Sequence, residues 1–185
     1  LLDFGLATRF AGEATVDVAA DAVARALVVP LPRDLTTTYF LRLTLADRDG
    51  GRVSTNDYWL STREDLLDAA KTKWYYTPTR RHADLTALAT LPPTTLALSR
   101  ATDSVSSGTG SVVTVRNDGT ALAFQVRLKL NDAAGEEILP VFWEDNYLML
   151  RPGETREVRV ALPAGAPAGA AVEAQAWNAP VVRAR

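Results

Sequence analysis

"VFWEDNYLMLRPGE", residues 141–154, decides how the rest of the chain is read. Trp143 and Tyr147 flank Glu144, Asp145 and Asn146, group types that grip or cut a sugar. The same letters also read as a strand entering a turn, with Pro152-Gly153 placed as the central residues of a type II turn. Glycoside hydrolysis needs two carboxyl groups facing one bond, about 5 Å apart for retention and about 6.5–9.5 Å for inversion. Adjacent residues on a strand send their side chains to opposite faces, so Glu144 and Asp145 cannot form that pair. Glu136 and Glu137 fail on the same ground. The stretch is therefore read as strand and turn, and the fold as all-β.

Working outward, the surrounding sequence repeats this grammar. Residues 96–177 contain "SVVTVRNDG", "ALAFQVRLKLNDAAG", "EEILPVFWEDNYLML", "RPGETREVRVALP" and "AAVEAQAWN". Apolar alternation over five to nine residues, about every ten residues, is the pattern of an antiparallel sandwich. Residues 39–61 form a further strand pair across Asp49-Gly50-Gly51, and residues 13–32, "EATVDVAADAVARALVVPLP", read as strand, turn and strand with the bend at Ala19–Asp21. Two hairpins echo each other. "LRLTLADRDG" (41–50) matches "VRLKLNDAAG" (126–135), and residues 16–32 resemble residues 148–163. The echoes occur in opposite order, so a shared sandwich plan implies that the first half lacks its opening strands.

Between the halves lies a segment rich in proline and aromatics. Thr62 is placed to cap a short helix carrying Asp65 in its first turn and Leu66, Leu67, Ala69 and Ala70 on one face. Pro78, Pro92 and Pro93 prevent a long helix. From the residues alone, the expected organisation is two antiparallel β-sandwiches, the first lacking its opening strands, joined by this proline-punctuated connector.

Composition excludes several function classes. The 20 Lys and Arg nearly balance the 22 Asp and Glu and are scattered singly, which speaks against a nucleic-acid partner. The absence of cysteine removes disulfides, thiolate metal sites and cysteine nucleophiles. No apolar run approaches the roughly 18 residues of a membrane span, so no membrane partner is expected. His82 is the only histidine and stands beside two arginines, as an exposed linker residue would. Asp103, Asp118, Asp132 and Asp145 sit at turns or strand ends, where Asp bonds its own backbone. "SSGTG" (106–110) precedes an alternating strand and lacks the lysine and helix of a phosphate loop. No catalytic residue, metal or cofactor is expected. The candidate carbohydrate or interdomain contacts are the aromatics Trp74, Tyr75 and Tyr76 in "KWYYTP", with Trp143 and Tyr147.

"STNDYWLS" (54–61), "WYYTPTRRHADLTAL" (74–88) with "LPP" (91–93), "VRLKLNDAAGEEILPVFWEDNYLMLRPGE" (126–154) and "AWN" (176–178) resemble the C-terminal part of glycoside hydrolase family 2 enzymes, exo-β-D-glucosaminidases first and β-mannosidases next. The resemblance runs in consistent order over residues 15–178. It implies a parent in which a catalytic TIM barrel and other β-sandwich domains precede this region, with the catalytic carboxylates upstream of Leu1. Within this region it implies a partial immunoglobulin-like sandwich over 1–60, a linker over 61–93, a complete immunoglobulin-like sandwich over 94–180 and a tail over 181–185. It further implies a secreted bacterial enzyme acting on chitosan-type oligosaccharides, in which this region braces the barrel. The chain departs from the family pattern at Ala89, where Asn is usual, and at Glu144, where a small residue is common. A carbohydrate-binding module gripping chitosan through the aromatics, a parent enzyme that is a β-mannosidase, and an adhesion-type repeat are the alternatives.

Overall fold

A computed structural model describes residues 1–102, 110–162 and 169–184. "SSGTG" up to Thr109, and Asp103, lie outside the described residues. The chain divides into two units, Leu1–Thr90 and Leu91–Arg185. The described residues are nearly all β and contain no α-helix.

Unit 1 contains β1 (Leu2–Asp3), β2 (Thr38–Ala46) and β3 (Arg52–Ser61), paired in that order as one antiparallel sheet. The Asp-turn hairpin between β2 and β3 forms where the alternation places it. The Gly50 N–H donates to the Asp47 carbonyl, Gly50 takes a φ of 81°, and Asp47 Oδ1 accepts the N–H groups of Asp49 and Gly51. The echoed hairpin in unit 2 is built the same way. Gly135 donates to the Asp132 carbonyl at a φ of 93°, and Asp132 Oδ1 accepts from Ala134 and Glu136. Both are a tight turn closed by a left-handed glycine, where a side chain would strain the backbone.

The rest of unit 1 departs from expectation in two places. Residues 13–32 make no strand ladder; a turn forms at Ala19–Ala22, but the flanking chain is almost wholly exposed. Alternation specifies a strand only where a neighbour and a covered face are present, and here both are missing. No helix starts at Thr62. Its N–H continues the hairpin by donating to the Thr37 carbonyl, the Asp65 carboxylate accepts the Ala83 N–H, and Leu66–Leu67 (β4) pairs with Thr79–Arg81 (β5). Only a 3-10 turn remains at Ala69–Lys71, as expected for a segment too short to be helical without packing. Residues 61–90 thus fold with unit 1, while Pro92 and Thr94 are tied into unit 2 by Asn178.

Unit 2 is a two-layer sandwich. Its strands are β6 (Leu96–Thr102), β7 (Gly110–Asn117), β8 (Ala123–Asn131), β9 (Phe142–Trp143), β10 (Leu148–Leu150), β11 (Thr155–Ala161), β12 (Ala171–Ala176) and β13 (Ala179–Ala184). One sheet runs β6-β7-β11-β9 and the other β10-β8-β12-β13. Every second residue faces inward, so Val113 and Val115, Leu128 and Leu130, Val158 and Val160, and Val172 and Ala174 form one core. The expected tail at 181–185 is instead occupied through Ala184 by β13, which pairs with β12 at the sheet edge. Pro180 masks this strand in the sequence, because proline is tolerated only where its missing N–H faces away from the ladder.

The opening stretch carries the chain from one sheet to the other. Trp143 pairs with Val160 of the first sheet, and five residues later Leu148 pairs with Val126 of the second. The crossing hinges on Asn146, whose Oδ1 accepts the Leu128 N–H at 2.7 Å and whose Nδ2 donates to the Leu128 carbonyl at 3.0 Å. The amide stands in for a paired backbone residue. The strand then ends as expected, with the Glu154 N–H donating to the Arg151 carbonyl and Gly153 at a φ of 74°. Replacing Asn146 by Ala leaves two buried backbone groups of Leu128 without partners and is expected to destabilise unit 2 by about 2 kcal/mol. Amide exchange at Leu128 should accelerate accordingly; unchanged protection there would count against this role.

Candidate interaction surface

The two units differ sharply in how much apolar surface they cover. Among the described residues unit 2 buries eighteen apolar side chains, whereas unit 1 buries three: Leu2, Tyr39 and Phe40. Phe40 stacks against Phe4 with ring centroids 6.1 Å apart. Across the β2–β3 register Leu41 faces Tyr58 and Tyr39 faces Leu60, so Leu41, Leu43, Leu45, Tyr58 and Leu60 share one face of the hairpin. Leu43 and Leu45 on that face are 42% and 55% exposed, while their echoes Leu128 and Leu130 are each 1% exposed. The opposite face is closed by the Arg42–Asp57 ion pair at 2.6 Å.

The five candidate aromatics do not form one site. Trp143 lies in unit 2, partly buried and packed against the sandwich core, while its neighbour Phe142 points to solvent. Tyr147 is exposed in unit 2 at a φ of 55°, held by the turn that Asn146 makes. Trp74, Tyr75 and Tyr76 lie in unit 1 at the tip of the β4–β5 ribbon. There the Lys73 and Tyr76 backbones bond each other in both directions, at 2.8 and 3.2 Å, leaving Trp74 and Tyr75 as the two loop residues. Trp74 is 94% and Tyr75 70% exposed, and their rings meet edge to face at 4.9 Å. Below the tip the ribbon is braced by the Thr72–Thr77 hydroxyl contact and by the Asp68 N–H donating to the Pro78 carbonyl. The aromatics are thus displayed on a fixed stem.

Glu144 and Asp145, expected on a strand, lie instead in the bend between β9 and β10, and the carboxylates there and nearby are engaged locally. Glu144 accepts the Arg159 N–H and lies 3.7 Å from its guanidinium, and Asp145 accepts the Asn146 N–H. Glu137 pairs with Arg127 at 2.8 Å, and the exposed His82 lies 3.7 Å from Asp65. Three carboxyls shift, all below their ordinary values. Hydrogen bonds from Thr86 lower Asp84. Burial pushes Asp3 up, but bonds from Arg9 and the Ala7 N–H outweigh it. The Lys129 hydrogen bond lowers Glu173 despite its burial. Among the described residues no three His, Asp or Glu side chains gather as metal ligands, and no helix is long and apolar enough to cross a membrane.

What sequence reading passed over is a set of asparagines. Buried Asn117 accepts from Thr94 Oγ1 and the Gly119 N–H and donates to the carbonyls of Ala121 and Leu150. Asn178 accepts the Phe124 N–H and donates to the carbonyls of Pro92 and Leu122. Each holds loops at a sandwich end, and the signal available was an Asn beside a strand end in "RNDG", "EDNY" and "AWN".

The sandwich of unit 2, with its strand crossing between sheets and its amide hooks, defines an immunoglobulin-like domain. The model of the exo-β-D-glucosaminidase Ig-fold domain family matches residues 74–179, so the chain belongs to that family. Its relatives include the exo-β-D-glucosaminidase of Streptomyces avermitilis, 40% identical over 149 residues, covering 78% of this chain and 16% of the relative. That of Amycolatopsis orientalis is 42% identical over 139 residues, covering 72% and 13%. The crystal structure of the Amycolatopsis orientalis exo-chitosanase CsxA superposes with a TM-score of 0.76 at 34% identity, covering 86% of this chain and 19% of that one. The chain therefore spans less than a fifth of the length of these proteins.

Proposed function

We propose that this chain is a non-catalytic part of a retaining exo-β-D-glucosaminidase, one that braces a catalytic TIM barrel lying elsewhere in the same polypeptide. The parent would release β-linked glucosamine from chitosan-type oligosaccharides. The observation that carries the reading is the contrast between Leu128 and Leu130, sealed in a core, and Leu43 and Leu45, uncovered in the same hairpin. A contiguous exposed apolar face marks a place where something packs. In a chain matching so small a share of its relatives, the rest of the polypeptide supplies that cover. On this reading residues 1–60 are the closing part of an immunoglobulin-like domain whose facing sheet lies upstream.

The test uses the p-nitrophenyl β-D-glucosamine found in a complex with the Amycolatopsis exo-chitosanase. The purified 185-residue chain is expected to release no p-nitrophenol, and the longer polypeptide that contains it is expected to release it readily. Turnover by the purified chain would overturn the non-catalytic assignment.

A further inference from the structure

We infer that the tip of the 66–81 ribbon is a docking wedge that seats Trp74 and Tyr75 in an apolar, carboxylate-rimmed pocket on the part of the enzyme outside this chain. The inference rests on the reading above and names the element through which the bracing acts.

Three observations converge on it. The first is that the fold gives no local reason for these residues. Neither Trp74 nor Tyr75 takes a positive φ, so the turn accepts them without strain, but nothing in a two-residue loop calls for large aromatics, and small or polar residues usually fill it. Here the two loop positions are Trp and Tyr, and both side chains leave the ribbon they belong to. Large aromatics on a rigid stem lose little entropy on binding, and Trp and Tyr dominate interface hot spots. The second is the extent of the family match. It begins at Trp74, within unit 1, and runs on through unit 2. The two tip aromatics and β5 thus fall within the matched family segment, while β4 precedes it.

The third is charge, which selects the partner. Residues 63–84 carry five Lys and Arg against four Asp and Glu. Arg63 is paired with Asp84 and Lys71 with Asp68, whereas Lys73, Arg80 and Arg81 make no ion pair among the described residues. Lys73 stands directly beside the tip, while Arg80 and Arg81 lie at the far end of the ribbon, where Arg81 is opposite Leu66. A ribbon carrying these free cations repels a protonated glucosamine chain and complements a protein surface bearing carboxylates. That weighs against the aromatics being a chitosan platform.

Hydroxyl-radical footprinting read by mass spectrometry tests this on the full-length enzyme and on the 185-residue chain, each with and without chitosan oligomer. Trp74 and Tyr75 are expected to be labelled heavily in the chain and protected in the full-length enzyme without sugar. Trp74→Ala in the full-length enzyme should restore labelling at Tyr75. Equal labelling of Trp74 in both proteins would overturn the docking. Protection that appears only with chitosan oligomer would assign the tip to saccharide, and protection that grows with concentration of the chain alone would assign it to self-association; either overturns the inference. A full-length enzyme that hydrolyses p-nitrophenyl β-D-glucosamine while Trp74 stays labelled rejects the wedge alone. One that hydrolyses nothing rejects the glucosaminidase reading and the wedge with it.

Discussion

Leu128→Ala is expected to destabilise unit 2 by about 3 kcal/mol, because it removes a fully buried branched side chain and leaves a cavity the sandwich cannot close. For a domain of this size that corresponds to a fall in melting temperature of roughly 12–24 °C. Leu43→Ala changes the same letter in the echoed hairpin, yet it is expected to shift stability by no more than about 0.5 kcal/mol, as surface substitutions do. The hairpins share the echoed positions, the Asp-anchored turn and the left-handed glycine; what differs at these two leucines is the cover over them. Scanning calorimetry of the 185-residue chain measures both, and similar penalties at the two positions would contradict the assignment of Leu43 to an open face. In the longer polypeptide the penalty at Leu43 should rise toward that at Leu128, because the proposed facing sheet would then cover it.

The same contrast explains what was legible in the sequence. Most strands of unit 2 are legible because each has a neighbour on both sides or a covered inner face, so its alternation reports a real environment. The exception inside the sandwich is 141–150, which alternation reads as one strand and which splits into β9 and β10 on different sheets. Residues 13–32 carry equally good alternation through Val16, Val18, Leu27 and Leu31, and form no ladder. The pattern encodes a preference, and satisfying it takes neighbouring strands. The helix expected after Thr62 fails for a different reason: Asp65, read as a first-turn residue, bonds across the ribbon to Ala83. The edge strand at Ala179–Ala184 was hidden by Pro180. Adjacent carboxylates and aromatics in "FWEDNY" suggested a sugar site, but the residue that matters to the fold there is Asn146 between them. A side-chain amide that imitates a strand is invisible to periodicity, since the contact joins residues 18 positions apart.

Glu173→Ala is the second substitution expected to be severe, by about 3 kcal/mol, the scale seen when one partner is removed from a buried charge network. Glu173 lies on the outer side of β12, yet is only 4% exposed. Its register neighbours are Lys129 on β8 and Arg183 on β13, so three strands meet at one carboxylate. Lys129 Nζ lies 2.5 Å from Oε1, Arg183 Nη2 lies 2.9 Å from Oε2, and Asn131 Nδ2 donates to Oε2 at 3.1 Å. Removing the carboxylate strands the largely buried Lys129 ammonium between strands and releases the edge strand β13. The Lys129 hydrogen bond, with help from Arg183, holds the Glu173 carboxyl below the usual glutamate value against the opposing effect of burial. A carboxyl lowered in the folded state contributes stability that is complete above its unfolded value, about 4.3, and is lost as pH falls through the folded value. Glu173→Gln retains an acceptor without the charge. The stability gap between wild type and this variant should therefore be full at neutral pH and shrink progressively below about pH 4. Denaturant titrations across that range measure it. A gap that stays constant into acid, or a Glu173→Ala variant as stable as wild type, would show that the carboxylate does not clasp the three strands.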